Sequence, residues 1–295
     1  MGELRARGTL GDDEVAEVLE VIEAATEADG VGPLSEHATL ALRSGRTGLA
    51  VAEGTAAGKK IVAYAHLDLA EDEPSVGELV VHPGHRRRGH GRALLRALRS
   101  EADGPLRVWA HGDLPAAAAL AASEGMTRVR VLLQMRRPAS DPLPRTPSVP
   151  GVAVRTFRPG EDERAWLDLN ARAFADHPEQ GAWTLDDVAA REREDWFDPS
   201  GFFLAERDGR LVGFHWTKIH PGGLGEVYVV GVDPDAQGLG LGRVLTLTGL
   251  HHLREAGVEQ FMLYVDEANT AAVRLYESLG FTRHFVDVMY GTEAS

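Results

Sequence analysis

The sequence predicts an α/β protein of two tandem domains, each a mixed central sheet flanked by helices. Three observations carry this. Residues 78–98 and 228–250 repeat one order of apolar strand, proline turn, glycine loop and helix. Pro83 and Pro234, Gly89 and Gly240, and Gly91 and Gly242 all stand 151 positions apart. A fixed internal period defines an architecture before any single element does. Between the copies, Pro138, Pro142, Pro144, Pro147 and Pro150 crowd one short segment. Proline lacks an amide N–H and restricts its predecessor, so neither a helix nor a central strand is expected there. The expected organisation is an N-terminal domain over 1–137, a linker over 138–150 and a C-terminal domain over 151–295.

The elements follow from local pattern. In the C-terminal half, residues 202–206 and 211–217 read as strands around a turn at 207–209. The unbroken apolar run within 226–232 reads as a strand buried on both faces. Residues 242–256 form an amphipathic helix stopped by Gly257, and 260–266 the next strand. A short helix spans 269–279, with Asn269 as N-cap and Gly280 as its stop, and 284–290 closes as a strand. The N-terminal half gives the same order: strands over 48–53, 60–68 and 77–81, a helix over 92–100, a strand over 106–110, a helix over 116–124 and a strand over 128–134.

Composition narrows the function. The chain has 295 residues, 43% hydrophobic and 26% charged, which suits two globular domains. It contains no cysteine, excluding disulfides and thiolate nucleophiles or metal ligands. No apolar run approaches a membrane span, and the N-terminal residues lack an apolar signal region, so a cytoplasmic location is expected. A monomer is expected as well. The net charge of −14 disfavours nucleic acid and favours a neutral or amine-bearing small molecule as partner.

The sharpest motif is Gln237-Gly238-Leu239-Gly240-Leu241-Gly242-Arg243, between a strand and a helix. Glycine permits positive φ, so successive N–H groups can converge, and the helix N-terminus adds free donors and its positive dipole end. Together these make a pyrophosphate cradle; the alternative is a flexible turn. The first half carries the same loop as Arg86-Arg87-Arg88-Gly89-His90-Gly91-Arg92. A dinucleotide fingerprint needs another glycine spacing and a phosphate-binding P-loop needs Gly-Lys-Ser/Thr, and neither is present.

At this point the chain resembles the GNAT acetyltransferases. Their acyl-CoA motif, Gln/Arg-x-x-Gly-x-Gly/Ala after a strand, is matched in both halves. Their second signature, Asn-x-x-Ala-x-x-x-Tyr-x-x-x-Gly-Phe, is matched by Asn269, Ala272, Tyr276, Gly280 and Phe281. The resemblance implies acetyl transfer from acetyl-CoA to an amine. That chemistry needs a base for the amine proton, N–H donors for the carbonyl oxygen and an acid for the leaving thiolate. Glu226, at the expected start of the strand 226–232 and on one face with Tyr228 and Val230, is the candidate base; the alternative is a solvated strand-end charge. Tyr276 is the candidate acid; the alternative is a core aromatic. In the first half, the 151 spacing puts Ser75 under Glu226, with Glu78 nearby, and a spacing of 155 puts Ala121 under Tyr276 and Leu114 under Asn269. The N-terminal domain is thus expected to keep a phosphate loop without working chemistry.

Over its whole length the chain resembles, more narrowly, the mycothiol synthases, tandem GNAT enzymes that acetylate the cysteinyl amine of Cys-GlcN-Ins. The most specific stretches are residues 177–181, 226–234 and 263–266. The resemblance implies Glu226 as general base and Tyr276 as general acid. It implies substrate contacts from Glu36, Glu179, Lys218, Glu226 and Tyr264. It implies acetyl-CoA contacts from Val230, Gly231, Val232, Gln237, Gly238, Leu239, Gly240, Leu241, Gly242, Arg243, Asn269, Thr270, Ala271, Ala272, Val273 and Arg274. Equivalent N-terminal contacts fall on Leu79, Val80, Val81, Arg87, Arg88, Gly89, His90, Gly91 and Arg92. For Glu36 the alternative is an exposed helix-start acid. Two rival functions stay open: the same chemistry on another amine, and a non-catalytic acetyl-CoA sensor. His82, His85, His90, His251 and His252 lack a clear ligand set, so no metal is expected. Trp166, Trp183, Trp196 and Trp216 read as core or pocket wall.

Overall fold

A computed structural model describes residues 3–43, 47–55, 58–70, 73–102, 104–175 and 178–292. The chain divides into two compact units, each α/β as expected. One comprises Met1–Leu133, Asp266–Ala268 and Phe285–Ser295; the other comprises Gln134–Val265 and Asn269–His284.

The first unit runs β1 (Glu3–Thr9), α1 (Asp12–Asp29), α2 (Glu36–Arg43), β2 (Thr47–Thr55), β3 (Gly58–Asp68), β4 (Ser75–Val81), α3 (His90–Glu101), β5 (Leu106–Ala110), α4 (Pro115–Ser123) and the start of β6 (Thr127–Pro138). Strands β1 to β4 pair antiparallel in order, and β4 pairs parallel with β5. Seven consecutive residues of β3 are buried because helices cover both faces of the sheet. Leu94 and Leu98 of α3 pack with Leu49, Ala63 and Ala65 on one face. Val18, Val21 and Ala25 of α1 pack with Ala50, Ile61 and Tyr64 on the other.

The second unit continues with β7 (Val152–Thr156), α5 (Glu163–Ala173), α6 (Pro178–Gly181), α7 (Leu185–Glu192), β8 (Phe202–Arg207), β9 (Arg210–His220), β10 (Leu224–Val232), α8 (Leu241–Glu255), β11 (Gln260–Asp266), α9 (Thr270–Ser278) and β12 (Thr282–Gly291). Strands β7 to β10 pair antiparallel in order, and β10 pairs parallel with β11. One face is closed by α8 and the other by an aromatic cluster. Trp166 stands at its centre, edge-on to Phe202, Phe214 and Trp216 at 5.4 to 5.8 Å.

Every strand and helix expected from sequence is present, with ends shifted by a few residues. The segment 139–151 carries no helix or strand. The boundary expected at 137 falls inside β6, whose residues from Gln134 belong to the second unit. Conversely, the end of β12 belongs to the first unit, where Val288 to Gly291 pair antiparallel with Ala110 to Arg107 of β5. No helix among the described residues is long and apolar enough to cross a membrane.

Candidate active site

The site of the second unit is built where β10 and β11 part. Their pairing covers Leu224 to Val227 against Gln260 to Leu263, while β10 continues to Val232 and β11 to Asp266. Glu226 lies in the paired part. The strand starts two residues earlier than expected, so Glu226 is buried instead of ending the strand in solvent. Its oxygen Oε2 accepts a 2.6 Å hydrogen bond from His220 Nε2 on β9. Lys218 stands directly opposite Glu226 across the β9–β10 ladder, and its Nζ lies 4.5 Å from the Trp196 ring and 5.4 Å from the Tyr228 ring. Stacking a cation on two ring faces fixes the Lys218 head group. Arg191 Nε donates to Tyr228 Oη at 3.0 Å and its guanidinium covers Trp183 at 3.7 Å.

A bulge resets the strand just past Glu226. Val227 opposes Thr217, but Val229 opposes Trp216, leaving Tyr228 as the extra residue. Tyr228 still faces the Lys218 side, as expected. Val230 does not: opposite His215, it lies on the face away from Glu226. Two-residue alternation misplaced it because a bulge inserts one residue into one strand only.

The phosphate loop has the geometry its glycines allow. Gly238 and Gly240 both adopt φ near +80°, and Gly240 caps α8, whose first residue is Leu241. A Cβ at either position would meet no atom, so backbone conformation, rather than space, requires glycine there. Asp233 steers the approach, accepting from Asp235 N–H at 3.0 Å and pairing with Arg172 at 2.9 Å. The start of α8 packs on α9: Arg243 donates to Ser278 Oγ at 3.0 Å, and Gly242 faces Leu275. Asn269 caps α9 by accepting from Ala272 N–H at 3.1 Å. Thr270, Ala271 and Arg274 line exposed positions of that helix, whereas Val273 and Tyr276 turn inward. Burial pushes the Tyr276 phenol above its ordinary value. Tyr264 is half exposed, its hydroxyl accepting from Gln134 Nε2 at 2.6 Å. The side chains of Glu36 and Glu179, and all of His177, lie outside the described residues.

The first unit repeats the strand–loop–helix frame. Arg87 takes the place of Gly238 at φ +62°, and Gly89 that of Gly240 at φ +89°. Leu79, Val80, Val81, Arg87, Gly89, His90, Gly91 and Arg92 line a cavity of about 610 Å³, closed by α4, Trp109, His111 and Tyr290. The arginines are largely paired internally. Arg86 makes a bidentate pair with Asp29 at 2.6 and 2.7 Å, Arg88 reaches Glu53 at 3.1 Å, and Arg92 reaches Glu124 at 2.9 Å. His85 and His90 both donate to Glu53 at 2.7 Å, and His82 accepts from Gly84 N–H. A group that sequence reasoning missed is His37, His66 and Asp68, whose ligand-type atoms lie within 4.8 Å of one another.

Strand register corrects the residue placed under Glu226. Val232 opposes Gly213, and Val81 opposes Ala63; five residues along β9 and β3, Lys218 meets Glu226 while Asp68 meets Val76. The ungapped spacing chose Ser75 because β4 lacks the bulge of β10. Helix α4 matches α9 with Leu114 at the cap and Ala121 at the buried position, as expected.

Comparison with known proteins fits this geometry. A family model described as acetyltransferase (GNAT) family matches residues 164–281, and one described as acetyltransferase (GNAT) domain matches 45–124. A mycothiol acetyltransferase of Thermomonospora curvata is 68% identical, over 95% of this chain and 94% of the relative. This chain belongs to the mycothiol acetyltransferase family. It is an N-acetyltransferase built from two GNAT domains. A second family member, from Thermobispora bispora, is 61% identical over 96% of this chain and 97% of its own. Among solved structures, a GCN5-related N-acetyltransferase from Sphaerobacter thermophilus superposes with a TM-score of 0.75 at 24% identity, covering 99% of this chain and 95% of its own. A tandem GNAT protein from the clavulanic acid biosynthesis pathway gives 0.71 at 22%, covering 99% of both chains. Both share the fold.

Sequence reasoning missed His220. It lies two positions beyond Lys218, but the strand read from sequence stopped at 217, and only the longer β9 puts both residues on one face. Only strand pairing tells which face of which neighbour it meets.

Proposed function

We propose that this chain transfers the acetyl group of acetyl-CoA to the cysteinyl amine of Cys-GlcN-Ins, giving mycothiol and CoA. The observation that carries the substrate is the 68% identity, over nearly the full length, to a relative named mycothiol acetyltransferase. The donor supplies the acyl thioester. The residues suited to hold it are Val230 to Val232, on the edge of β10 that β11 leaves unpaired while β9 pairs the other edge, the loop Gln237 to Arg243, and Asn269 to Arg274. The positive-φ glycines at a helix start fit a pyrophosphate, because backbone donors converge there and the dipole favours an anion.

In this reading Glu226 takes the amine proton and Tyr276 delivers one to the thiolate. Burial raises the phenol above its ordinary value, so it is protonated at neutral pH, which suits a donor. Lys218, Tyr264, Glu36 and Glu179 contact the hydroxyl-rich substrate. The N-terminal cavity takes a second acetyl-CoA without turning it over, since Val76, Leu114 and Ala121 replace the base, the cap and the acid.

The test is CoA release from acetyl-CoA with Cys-GlcN-Ins as acceptor. Glu226→Gln and Tyr276→Phe should each lower kcat by about 100-fold or more, the usual range for a lost acid or base. Wild-type protein that releases CoA with aminoglycosides or polyamines, and not with Cys-GlcN-Ins, would refute the substrate and keep the chemistry.

A further inference from the structure

We propose that His220 is a positioning residue for Glu226, pinning one carboxylate oxygen so that the other is presented to the substrate amine. The proposal rests on the reading of Glu226 as general base.

Three observations lead there. The contact is short and specific: His220 Nε2 lies 2.6 Å from Glu226 Oε2, which fits a charge-assisted hydrogen bond. The two groups differ in burial: the Glu226 side chain is 10% exposed and that of His220 28%, so the imidazole is the more solvent-facing partner. The scaffold holds both. His220 opposes Leu224 and Lys218 opposes Glu226, so the histidine reaches its partner diagonally across a regular antiparallel ladder, before the bulge at Tyr228.

The chemistry of a base explains the arrangement. A carboxylate on a two-bond stem rotates freely unless an oxygen is held, and a base is effective only when its lone pair meets the proton in line. Lys218 does not perform this role here, because its head group is drawn onto the Trp196 and Tyr228 rings. A carboxylate only accepts, so His220 Nε2 carries the hydrogen whether the ring is neutral or charged. Oε2 is committed to this bond, and the proposal assigns Oε1 to the amine.

The test compares His220→Gln, which keeps an N–H donor at similar reach, with His220→Met, which has the same length and no donor. Each is combined with wild-type Glu226 and with Glu226→Gln, and melting temperature is measured alongside kcat and both KM values. We expect H220M to lower kcat by about 10- to 100-fold, the value of a hydrogen bond to a charged group. H220Q should recover most of that loss, and the KM for acetyl-CoA should stay near wild type in both. In the E226Q background H220M should cost nothing further, because residues acting as a unit are not additive. Should methionine unfold the protein, H220A takes its place against H220Q. Equal rates for H220M and wild type, with E226Q inactive, would overturn the proposal and leave the base intact. Equal losses in H220M and H220Q would also overturn it, pointing to ring shape instead of the donor. An E226Q variant at the wild-type rate would remove the base assignment and this proposal with it.

Discussion

At the residue scale, His215 shows how a buried imidazole shapes the second unit. It is fully buried on β9, and Nδ1 donates to the Leu245 carbonyl of α8 at 2.8 Å. Burial pushes its pKa down to about 4, against the carbonyl's opposing pull. In the unfolded chain a histidine charges near pH 6.5. Between 6.5 and about 4 the unfolded state therefore binds the extra proton, and stability falls as pH falls. Thermal melts from pH 7 to 4 should show this loss, and His215→Gln should flatten the slope. An unchanged slope would mean the ring titrates freely. The opposite wall makes a second demand. A Cβ on Gly249 would run into the His215 ring and come within 2.9 Å of Thr217 Cγ2. Gly249→Ala should therefore destabilise by about 1–3 kcal/mol, the cost of overpacking, although alanine favours helix. Glycine in mid-helix is ordinarily a weakness, and here the packing around it reverses that.

At the element scale, the strand–loop–helix unit from β10 to α8 carries the proposed donor site. Its order was legible because an apolar run, a proline turn and spaced glycines leave few alternatives. The bulge at Tyr228 was not legible, since it is a property of a strand pair and β10 alone has no marker for it. The loop gives a test on two residues of the same conformation. Gly238→Ala puts a side chain at φ +79°, costing about 1 kcal/mol, and should raise the KM for acetyl-CoA several-fold. Arg87 already adopts φ +62° in the other copy, so Arg87→Gly should leave stability unchanged or slightly raise it. Loss of stability in Arg87→Gly would mean the arginine side chain, not the turn, holds that loop.

At the scale of the whole molecule, the two units do not follow the order of the chain. Val288 and Tyr290, near the C-terminus, lie in the core of the first unit with Leu106 and Val108. A fragment ending at residue 137 would lack the strand that covers β5. Expressed alone, it should aggregate or stay unfolded, and adding residues 285–292 as a peptide should restore a cooperative melt. A fragment that folds unaided would contradict this. The same strand brings a carboxylate to His111. Asp287 stands 3.3 Å from His111 Nδ1, and Glu78 stands 3.6 Å from Nε2, beyond hydrogen-bond range but within ion-pair range. Burial would push His111 down, but the two carboxylates overcome it and raise the imidazole to about 9. Here the folded state holds the proton between 6.5 and 9, so its stabilisation is full below 6.5 and lost as pH rises through 9. His111→Gln should flatten the alkaline part of the melting profile and leave the acid contribution of His215 in place.

The sequence by itself determined the repeat, the glycine loops, the cap at Asn269 and the candidate pair Glu226 and Tyr276. These are local: each depends on a residue's own backbone freedom or on neighbours a few positions away. The tertiary structure alone decided which residue of the first half stands under Glu226, where the bulge falls, what His220 touches and which unit owns the C-terminal strand. Each of those is a relation between strands far apart in sequence. Strand register shifts by whole residues while leaving the pattern along each strand unchanged, so only the paired sheet could fix it.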